Sequence, residues 1–214
     1  MLAVNYSSNT ILNTPAPRIA MSSESVIQKQ VLVPIATGSE EIEAVTVIDT
    51  LVRGGAAVTV AYASTDKSTL EVVCSRGVKL VADKFIEDCV NDQWDLVVCP
   101  GGMPGAVNLR DSEALTSILK KQYASGLPIA AICAAPAVIF THHGIITDTD
   151  KATGYPAEKF VSAISNYSTD KIVVSKNVIT SQGPGTSLIF SLKLVEILFG
   201  AEKAEALHKE MIVS

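Results

Sequence analysis

Short apolar runs alternate with amphipathic stretches along most of the chain, a pattern typical of strands followed by helices. The near-continuous apolar runs, which fit strands buried on both faces of a parallel sheet, are 30–35, 57–63, 94–99 and 129–132. The stretches predicted as helices are about 40–53, 111–123, 187–199 and 201–211. Weaker signals predict an extended pair at 72–82 bent at Gly77, a short strand at 151–157, a helix at about 157–164 and a hairpin of 171–174 with 177–180.

Strands that alternate with helices pair in parallel, through right-handed crossovers that place helices on both faces of the sheet. We therefore expect an α/β fold, a flavodoxin-like three-layer α/β/α sandwich with a mostly parallel sheet. The chain has 214 residues and 48% hydrophobic content, so residues 30–214 suffice for one domain with a substantial core.

Residues 1–29 differ from the rest of the chain and are expected to lie outside the fold. They are rich in Ser, Asn and Ala, they include Arg18, and they contain no acid before Glu24. This composition resembles an organelle transit peptide, but it also fits a disordered tail with Met21 as an alternative start. The expected location is therefore the cytoplasm, or a plastid or another organelle if the segment is a targeting signal.

Charge and residue counts narrow the classes of partner. A net charge of −5 argues against nucleic acid as the main partner, and no apolar run approaches the ~18 residues that span a bilayer. The three histidines are not spaced as metal ligands, so we expect neither a metal nor another cofactor. The four cysteines, which form no CxxC pair and fit reduced thiols, are Cys74, Cys89, Cys99 and Cys133.

The first predicted helix carries three acids in its first turns. Ser39 is its expected N-cap and Gly54–Gly55 its end, and its buried face is expected to contain Ile42, Val45, Ile48, Leu51 and Val52. The helix dipole accounts for Glu40 and Glu41 as acids near an N-terminus. Glu43 lies between two apolar neighbours at the border of the buried face, where a carboxyl group needs a partner or a proton.

The apolar run 129–132 breaks at Cys133, and a helix with Pro136 in its first turn is predicted to follow. A turn between a buried strand and a helix presents one side chain at the top of the sheet, as a nucleophile elbow does. At the N-terminus of a helix the Cys133 thiolate would be stabilised by the dipole and by free N–H groups. The alternative is a buried cysteine that packs as a small hydrophobic side chain.

Four loops are expected to meet at the carboxyl edge of the sheet, where ligands bind in such folds. These loops are 37–43, 101–105, 133–135 and 182–186. Gly101–Gly102 allows close approach of the backbone, and Gly101 is expected to line the pocket. The N–H groups of Gly102 and Ala134 could form an oxyanion hole, although the glycines also fit a simple turn. The last loop, which includes Pro184, lacks the Lys-Ser/Thr of a P-loop and is better interpreted as a rigid pocket wall.

These residues together resemble the DJ-1/PfpI superfamily, in particular its DJ-1 branch as a plant-like member. The resemblance covers about residues 31–211. It depends on five motifs in this order: GSEEIEAV (38–45), CSRGV (74–78), PGGMPGAVNL (100–109), AAICAAPAV (130–138) and TSQGPGTSLIF (180–190).

The resemblance implies a role for several positions. Cys133 matches the oxidisable nucleophile, Glu43 the acid that hydrogen-bonds its sulfur, and Gly102 and Ala134 the backbone donors beside it. Arg76 matches an arginine that reaches the site from a partner subunit of a homodimer. The implied activity is a glutathione-independent glyoxalase that converts methylglyoxal to lactate and glyoxal to glycolate, or a deglycase of early glycation adducts.

One position departs from the common pattern of the family, which has a histidine before the proline that here is Pro156. This chain has Tyr155, as plant-type members do, so a Cys–His dyad at that position is not expected. Tyr155 could donate a hydrogen bond into the pocket but is a poor base at neutral pH.

Three readings of the chemistry follow. The first is an enzyme in which Cys133 attacks the aldehyde of a small dicarbonyl and Glu43 moves the proton. The second is a redox sensor or chaperone without turnover, because an accessible reactive thiol is readily oxidised. The third is an amidotransferase-like triad with His208 and Glu210, which is disfavoured because these two positions of one helix point apart. His142 and His143, weaker candidates for a catalytic base, fit the end of a helix.

Overall fold

A seven-stranded sheet forms the centre of the computed structural model, which describes residues 28–213. The strands along the chain are β1 (Gln30–Ile35), β2 (Ala57–Tyr62), β3 (Glu71–Val73), β4 (Lys79–Val81), β5 (Lys84–Phe85), β6 (Leu96–Cys99), β7 (Ile129–Ile132), β8 (Ile172–Ser175) and β9 (Val178–Ser181). The sheet order is β5-β2-β1-β6-β7-β9-β8, with β8 antiparallel to β9 and every other pair parallel. β3 and β4 form a separate antiparallel pair.

Two groups of helices enclose the sheet, which confirms the expected α/β sandwich. The helical segments are α1 (Glu41–Gly54), α2 (Gly105–Arg110), α3 (Glu113–Ala124), a π-helical segment (Pro136–Thr141), α4 (Glu158–Val161), α5 (Ser187–Phe199) and α6 (Ala201–Glu210). Helices α1, α5 and α6 pack against one another, and α2 packs against α3 and the π-helical segment. The central strands β6 and β7 are wholly buried, as their continuous apolar sequences require.

The sheet order decides where the site lies. Strands β1, β6, β7 and β9 are adjacent and parallel, so the loops that follow them leave the same edge side by side. These are the four loops that were expected to meet, and contacts between them confirm it. The amide of Glu40 donates to the Gly101 carbonyl at 3.1 Å, and the amide of Cys133 donates to the Ser181 carbonyl at 3.0 Å.

The prediction for the buried face of α1 was confirmed for Leu51 and Ile48 but was wrong for the other three residues. Ile42, Val45 and Val52 are 54%, 43% and 53% exposed, whereas the apolar residues that pack inward include Val47 and Leu51. The helix carries apolar residues on two sides, and spacing alone does not reveal which side meets the sheet.

Both ends of α1 are capped, but the N-cap is not the expected residue. Glu40 caps the helix by accepting a hydrogen bond from the Glu43 amide at 2.8 Å. The Ser39 hydroxyl instead accepts from the Ala36 amide at 2.9 Å and closes the preceding turn. The helix ends at Gly55, whose φ of 105° only glycine adopts readily, as expected.

Several weaker predictions need adjustment. The predicted strand at 151–157 is reduced to a single bridge between Ala152 and Tyr167, and the helix after it is limited to α4. Helix α2 and strand β5 were not predicted, whereas the hairpin of β8 and β9 and the bend at Gly77 were. The predicted N-terminal extension, residues 1–29, lies almost entirely outside the described residues. Among residues 28–213, no helix is both long and apolar enough to cross a membrane.

Candidate active site

Cys133 occupies a sharp elbow directly after β7. Its φ is +64°, a left-handed conformation that is uncommon for residues other than glycine and that often marks a functional position. Backbone hydrogen bonds hold it there, because its amide donates to Ser181 and its carbonyl accepts from the Tyr155 amide at 2.7 Å. The residue is 9% exposed and lines a cavity of about 520 Å³. The thiol is therefore largely buried but reaches an open space.

Gly101 provides the room behind the elbow. A Cβ atom at this position would lie 2.7 Å from the Cys133 Cβ and 2.9 Å from a Glu43 carboxyl oxygen. Gly101 was expected to line the pocket, but it is buried and does not belong to the cavity lining. Its function is to let α1, the loop after β6 and the elbow approach one another closely.

Glu43 faces the sulfur from the first turn of α1 and is completely buried. Its Oε2 accepts a hydrogen bond from the Gly101 amide at 2.7 Å, and the carboxyl lies within hydrogen-bonding reach of the Cys133 thiol. Its other oxygen, Oε1, is buried and accepts no hydrogen bond within the described part of the chain. The carboxyl is thus fixed on one side and directed toward the thiol on the other.

Burial raises the pKa of Glu43 to about 7, and the nearby charge of Glu40 acts in the same direction. The hydrogen bonds from Gly101 and Cys133 oppose this rise of the pKa. A carboxyl group with a pKa near 7 exchanges its proton at neutral pH, as a general acid or base must.

The thiolate of Cys133 was expected to be stabilised, but its surroundings in the structure favour the protonated thiol. Burial, followed by the charge of ionised Glu43 and the hydrogen bond to it, raises the pKa of Cys133 to about 12. The Gly102 and Ala134 N–H groups act in the opposite direction. Protonation of Glu43 removes its negative charge, so the ionisations of the two groups are coupled and the pair retains a proton over the neutral range.

The amides of Gly102 and Ala134 both donate toward the sulfur, as required of the predicted backbone donors. Gly102 has a φ of +85°, and a Cβ there would lie 2.5 Å from both the Glu40 nitrogen and the Gly38 oxygen. The loop therefore needs glycine at this position to direct its amide at the thiol.

The remaining predicted residues, Arg76, Tyr155 and Pro184, line the same cavity. Arg76 lies in the cavity of its own chain, whereas the resemblance implied an arginine supplied by a partner subunit. The Tyr155 ring stands edge-on to the ring of Phe160, with centroids 6.2 Å apart, and the two rings form part of the wall.

Some residues of the site were not predicted. Glu41, which was interpreted as complementing the helix dipole, is buried and accepts hydrogen bonds from the Ser75 hydroxyl and the Arg76 amide, both at 2.8 Å. It thereby holds the turn between β3 and β4 against the cavity. Lys159 and Phe160 also line the cavity, and no periodic pattern in their short segment indicated this.

The alternative catalytic groups lie elsewhere. His208 and Glu210 belong to α6, and the His143 ring lies 2.9 Å from the Arg110 carbonyl, beyond the π-helical segment. No histidine of the described residues lines the cavity with Cys133. Within residues 28–213, no group of three or more His, Cys, Asp and Glu side chains is arranged to hold a metal ion.

Fold and site together define a class: an α/β protein with a cysteine at a strand-to-helix elbow, beside a buried carboxyl group. Comparison with known proteins agrees with this class. The chain belongs to the DJ-1/PfpI family, whose family model matches residues 29–197.

Curated relatives carry the DJ-1 name. Protein DJ-1 homolog B of Arabidopsis thaliana is 46% identical over 86% of this chain, and the match covers 41% of that relative. Protein DJ-1 homolog A of the same plant is 40% identical over 86% of this chain, and the match covers 46% of that relative. The chain thus spans less than half the length of these plant relatives. The glutathione-independent glyoxalase DJR-1.2 of Caenorhabditis elegans is 38% identical, over 82% of this chain and 91% of its own.

Solved structures show the same fold. The oxidized DJ-1 of Toxoplasma gondii superposes with a TM-score of 0.81 at 44% identity, covering 86% of this chain and 98% of its own. DJ-1beta of Drosophila melanogaster gives a TM-score of 0.79 at 37% identity, covering 88% of this chain and 100% of its own.

Proposed function

We propose that this protein is a cofactor-independent cysteine enzyme that acts on small reactive dicarbonyls, as a glutathione-independent glyoxalase. The observation that carries the proposal is the buried Glu43 carboxyl, which the Gly101 amide fixes beside the Cys133 thiol and whose pKa is raised to about 7. A relative named as a glutathione-independent glyoxalase supports the same reaction class. Methylglyoxal would yield lactate, and glyoxal would yield glycolate.

The chemistry follows from the groups around the sulfur. Glu43 takes the thiol proton as the Cys133 sulfur adds to the aldehyde carbon, and the carbonyl electrons move to the oxygen, which the Gly102 and Ala134 N–H groups stabilise and which Glu43 then protonates. Glu43 removes the hydrogen from that carbon and returns a proton to the neighbouring carbonyl carbon through an enediol. The resulting thioester is hydrolysed by water, which releases the 2-hydroxy acid and restores the thiol. The overall reaction adds one water to the dicarbonyl.

The test follows loss of methylglyoxal and formation of lactate by the full chain without glutathione. We expect turnover by the wild type and none by Cys133→Ala. Equal rates for the two proteins would refute the enzymatic proposal. A protein carrying an early glycation adduct of methylglyoxal, supplied in parallel, tests whether the same thiol also acts as a deglycase.

A second candidate function is an oxidative-stress sensor or chaperone without significant turnover. The same donors that would stabilise a reaction intermediate can stabilise the oxygens of a cysteine sulfinic acid. A structure of an oxidized DJ-1 lies among the similar solved structures. Mild peroxide followed by mass measurement distinguishes this function, because it requires oxygen uptake at Cys133 even if methylglyoxal is not consumed.

We also propose a homodimer formed through the outer face of α1. Ile42, Val45 and Val52 expose apolar side chains along this helix, and Val78 in the adjoining turn is 48% exposed. Glu41 links that turn to the start of α1, so the apolar residues belong to one neighbourhood beside the cavity. Exposed apolar surface of this kind is typical of an interaction site.

A further inference from the structure

Two cationic side chains lie at the rim of the cavity that contains Cys133. Arg76 comes from the turn between β3 and β4, Lys159 comes from α4, and both are exposed. The Arg76 guanidinium donates to the Ser75 carbonyl at 3.4 Å, and the Lys159 ammonium lies 4.7 Å from the centroid of the Phe160 ring. Neither cation forms an ion pair with an acid of residues 28–213.

The cavity thus has a reactive thiol at its base and two cations at its rim. Between them the wall is largely apolar, with Met103, Phe160 and the Tyr155 ring. A ligand that fits both ends carries an electrophilic carbonyl at one end and a negative charge at the other. Small neutral dicarbonyls such as methylglyoxal would leave the two cations unused.

We propose that Arg76 and Lys159 form an anion-recognising rim that selects carbonyl compounds bearing a carboxylate for reaction at Cys133. The proposal rests on the proposed function and adds a substrate class to it. Lys159 is the specificity-determining residue of this rim. It comes from the short α4 segment and contributes to the rim only through its charged side chain.

The charge balance of the cavity favours a single negative charge over the two of a phosphate group. Glu40 lines the same cavity, is buried, and uses one carboxylate oxygen to cap α1. Among the residues that line the cavity, the two rim cations and this carboxylate leave one positive charge for a ligand to neutralise. A phosphate dianion would exceed it and would also be repelled by Glu40.

Alkylation of Cys133 tests the rim without depending on turnover. Iodoacetate and iodoacetamide are similar in size and differ by one negative charge. The rate of Cys133 labelling by iodoacetate divided by the rate with iodoacetamide, each measured by peptide mass, therefore reports the local charge. We expect Lys159→Gln and Arg76→Gln each to lower this ratio about two- to fivefold, the size typical of a solvent-accessible charge pair. The effect should shrink in 0.5 M salt, because exposed charges are screened.

The matched control is Lys203→Gln, an exposed lysine on α6 away from the cavity, which should keep the wild-type ratio. Ratios in both rim variants equal to that of the wild type would overturn the proposal.

Two further measurements separate this proposal from the enzymatic one. Propionate should slow iodoacetate labelling at lower concentrations than inorganic phosphate does, and the reverse order would overturn the preference for a carboxylate. The full chain should also consume 4,5-dioxopentanoate, an oxoaldehyde with a carboxylate, with a higher kcat/KM than methylglyoxal, and Lys159→Gln should reduce this advantage. If neither dicarbonyl is consumed but the two rim variants still lower the alkylation ratio, the enzymatic proposal is contradicted and the anion-recognising rim remains supported.

Discussion

The buried carboxyl of Glu43 lies within hydrogen-bonding reach of the thiol of Cys133, although one residue lies on α1 and the other follows β7. The contact depends on the Gly101 amide, which donates to Glu43 at 2.7 Å and fixes the carboxyl beside the sulfur. Because the two ionisable groups share this water-poor site, the charge of one changes the protonation of the other. The chemistry proposed for the site belongs to the pair rather than to either residue.

The first prediction concerns Glu43 as the group that moves the proton. Glu43→Gln keeps the size of the side chain but removes the exchangeable carboxyl proton, so we expect kcat/KM for methylglyoxal to fall about 10²- to 10⁴-fold. Cys133→Ala should abolish turnover. The control is Glu113→Gln, an exposed acid at the start of α3, which should retain wild-type activity. Wild-type activity in Glu43→Gln would exclude the carboxyl from the reaction.

The second prediction links the pKa of Glu43 to stability. The folded pKa of Glu43 is about 7, above its ordinary value of 4.5, so the folded state binds the proton more tightly than the unfolded chain does. The free energy of unfolding contributed by this group is therefore fully present below pH 4.5 and is lost as pH rises through 7. The loss amounts to about 3 kcal/mol for a shift of this size.

Urea denaturation at pH 5 and pH 8 measures this dependence. The wild type should lose more stability than Glu43→Gln between the two values, because the amide does not ionise. The range stops at pH 8 because the pKa values of the buried thiols Cys74, Cys89 and Cys133 are all raised and affect stability at higher pH. Parallel pH profiles for the two proteins would contradict an ionising Glu43.

Much of the fold could be predicted from the sequence, because its buried strands are continuous apolar runs. The alternation of these runs with helices also predicted which loops meet at one edge, and so brought Cys133 and Glu43 together before any geometry was known. The position of the elbow was also predicted, from the break in the apolar pattern between Ile132 and Pro136.

The parts that could not be predicted depend on contacts between distant segments. The outward side of α1 is apolar, so spacing did not distinguish Ile42 from Val47. Glu41 resembled a residue that complements the helix dipole, because its partners in the turn after β3 lie more than thirty residues away. The raised pKa of the thiol likewise follows from burial beside Glu43, which local sequence near a helix start does not reveal.

The third prediction concerns the packing behind the elbow. Gly101→Ala would place a methyl group 2.7 Å from the Cys133 Cβ and 3.0 Å from the Ala134 amide, so these groups must move apart. We expect a fall in thermal stability and loss of methylglyoxal turnover together. The matched control is Gly185→Ala, in the loop after β9, where an added methyl meets no atom within 4 Å and should change little. Wild-type turnover in Gly101→Ala would show that the elbow tolerates displacement.

The fourth prediction is selective oxidation. Mild hydrogen peroxide should add two oxygens to Cys133, giving a sulfinic acid whose oxygens accept from the Gly102 and Ala134 N–H groups. Cys89 and Cys99 are fully buried away from the cavity, so peroxide does not reach them and they should stay reduced. Intact mass followed by peptide mapping measures the sites. Uptake spread over several cysteines would contradict selective oxidation at the elbow.

The last prediction tests the proposed dimer through the outer face of α1. Val45 is 43% exposed there, and Val45→Asp would place a charge in the centre of the apolar surface that a partner would bury. The expected result is a dimer for the wild type and a monomer for Val45→Asp in sedimentation velocity at micromolar concentration. Val174→Asp is the matched control, because Val174 is 51% exposed on β8 at the far edge of the sheet, and this variant should remain dimeric. A monomeric wild type would refute the dimer, and a dimeric Val45→Asp would place its interface elsewhere.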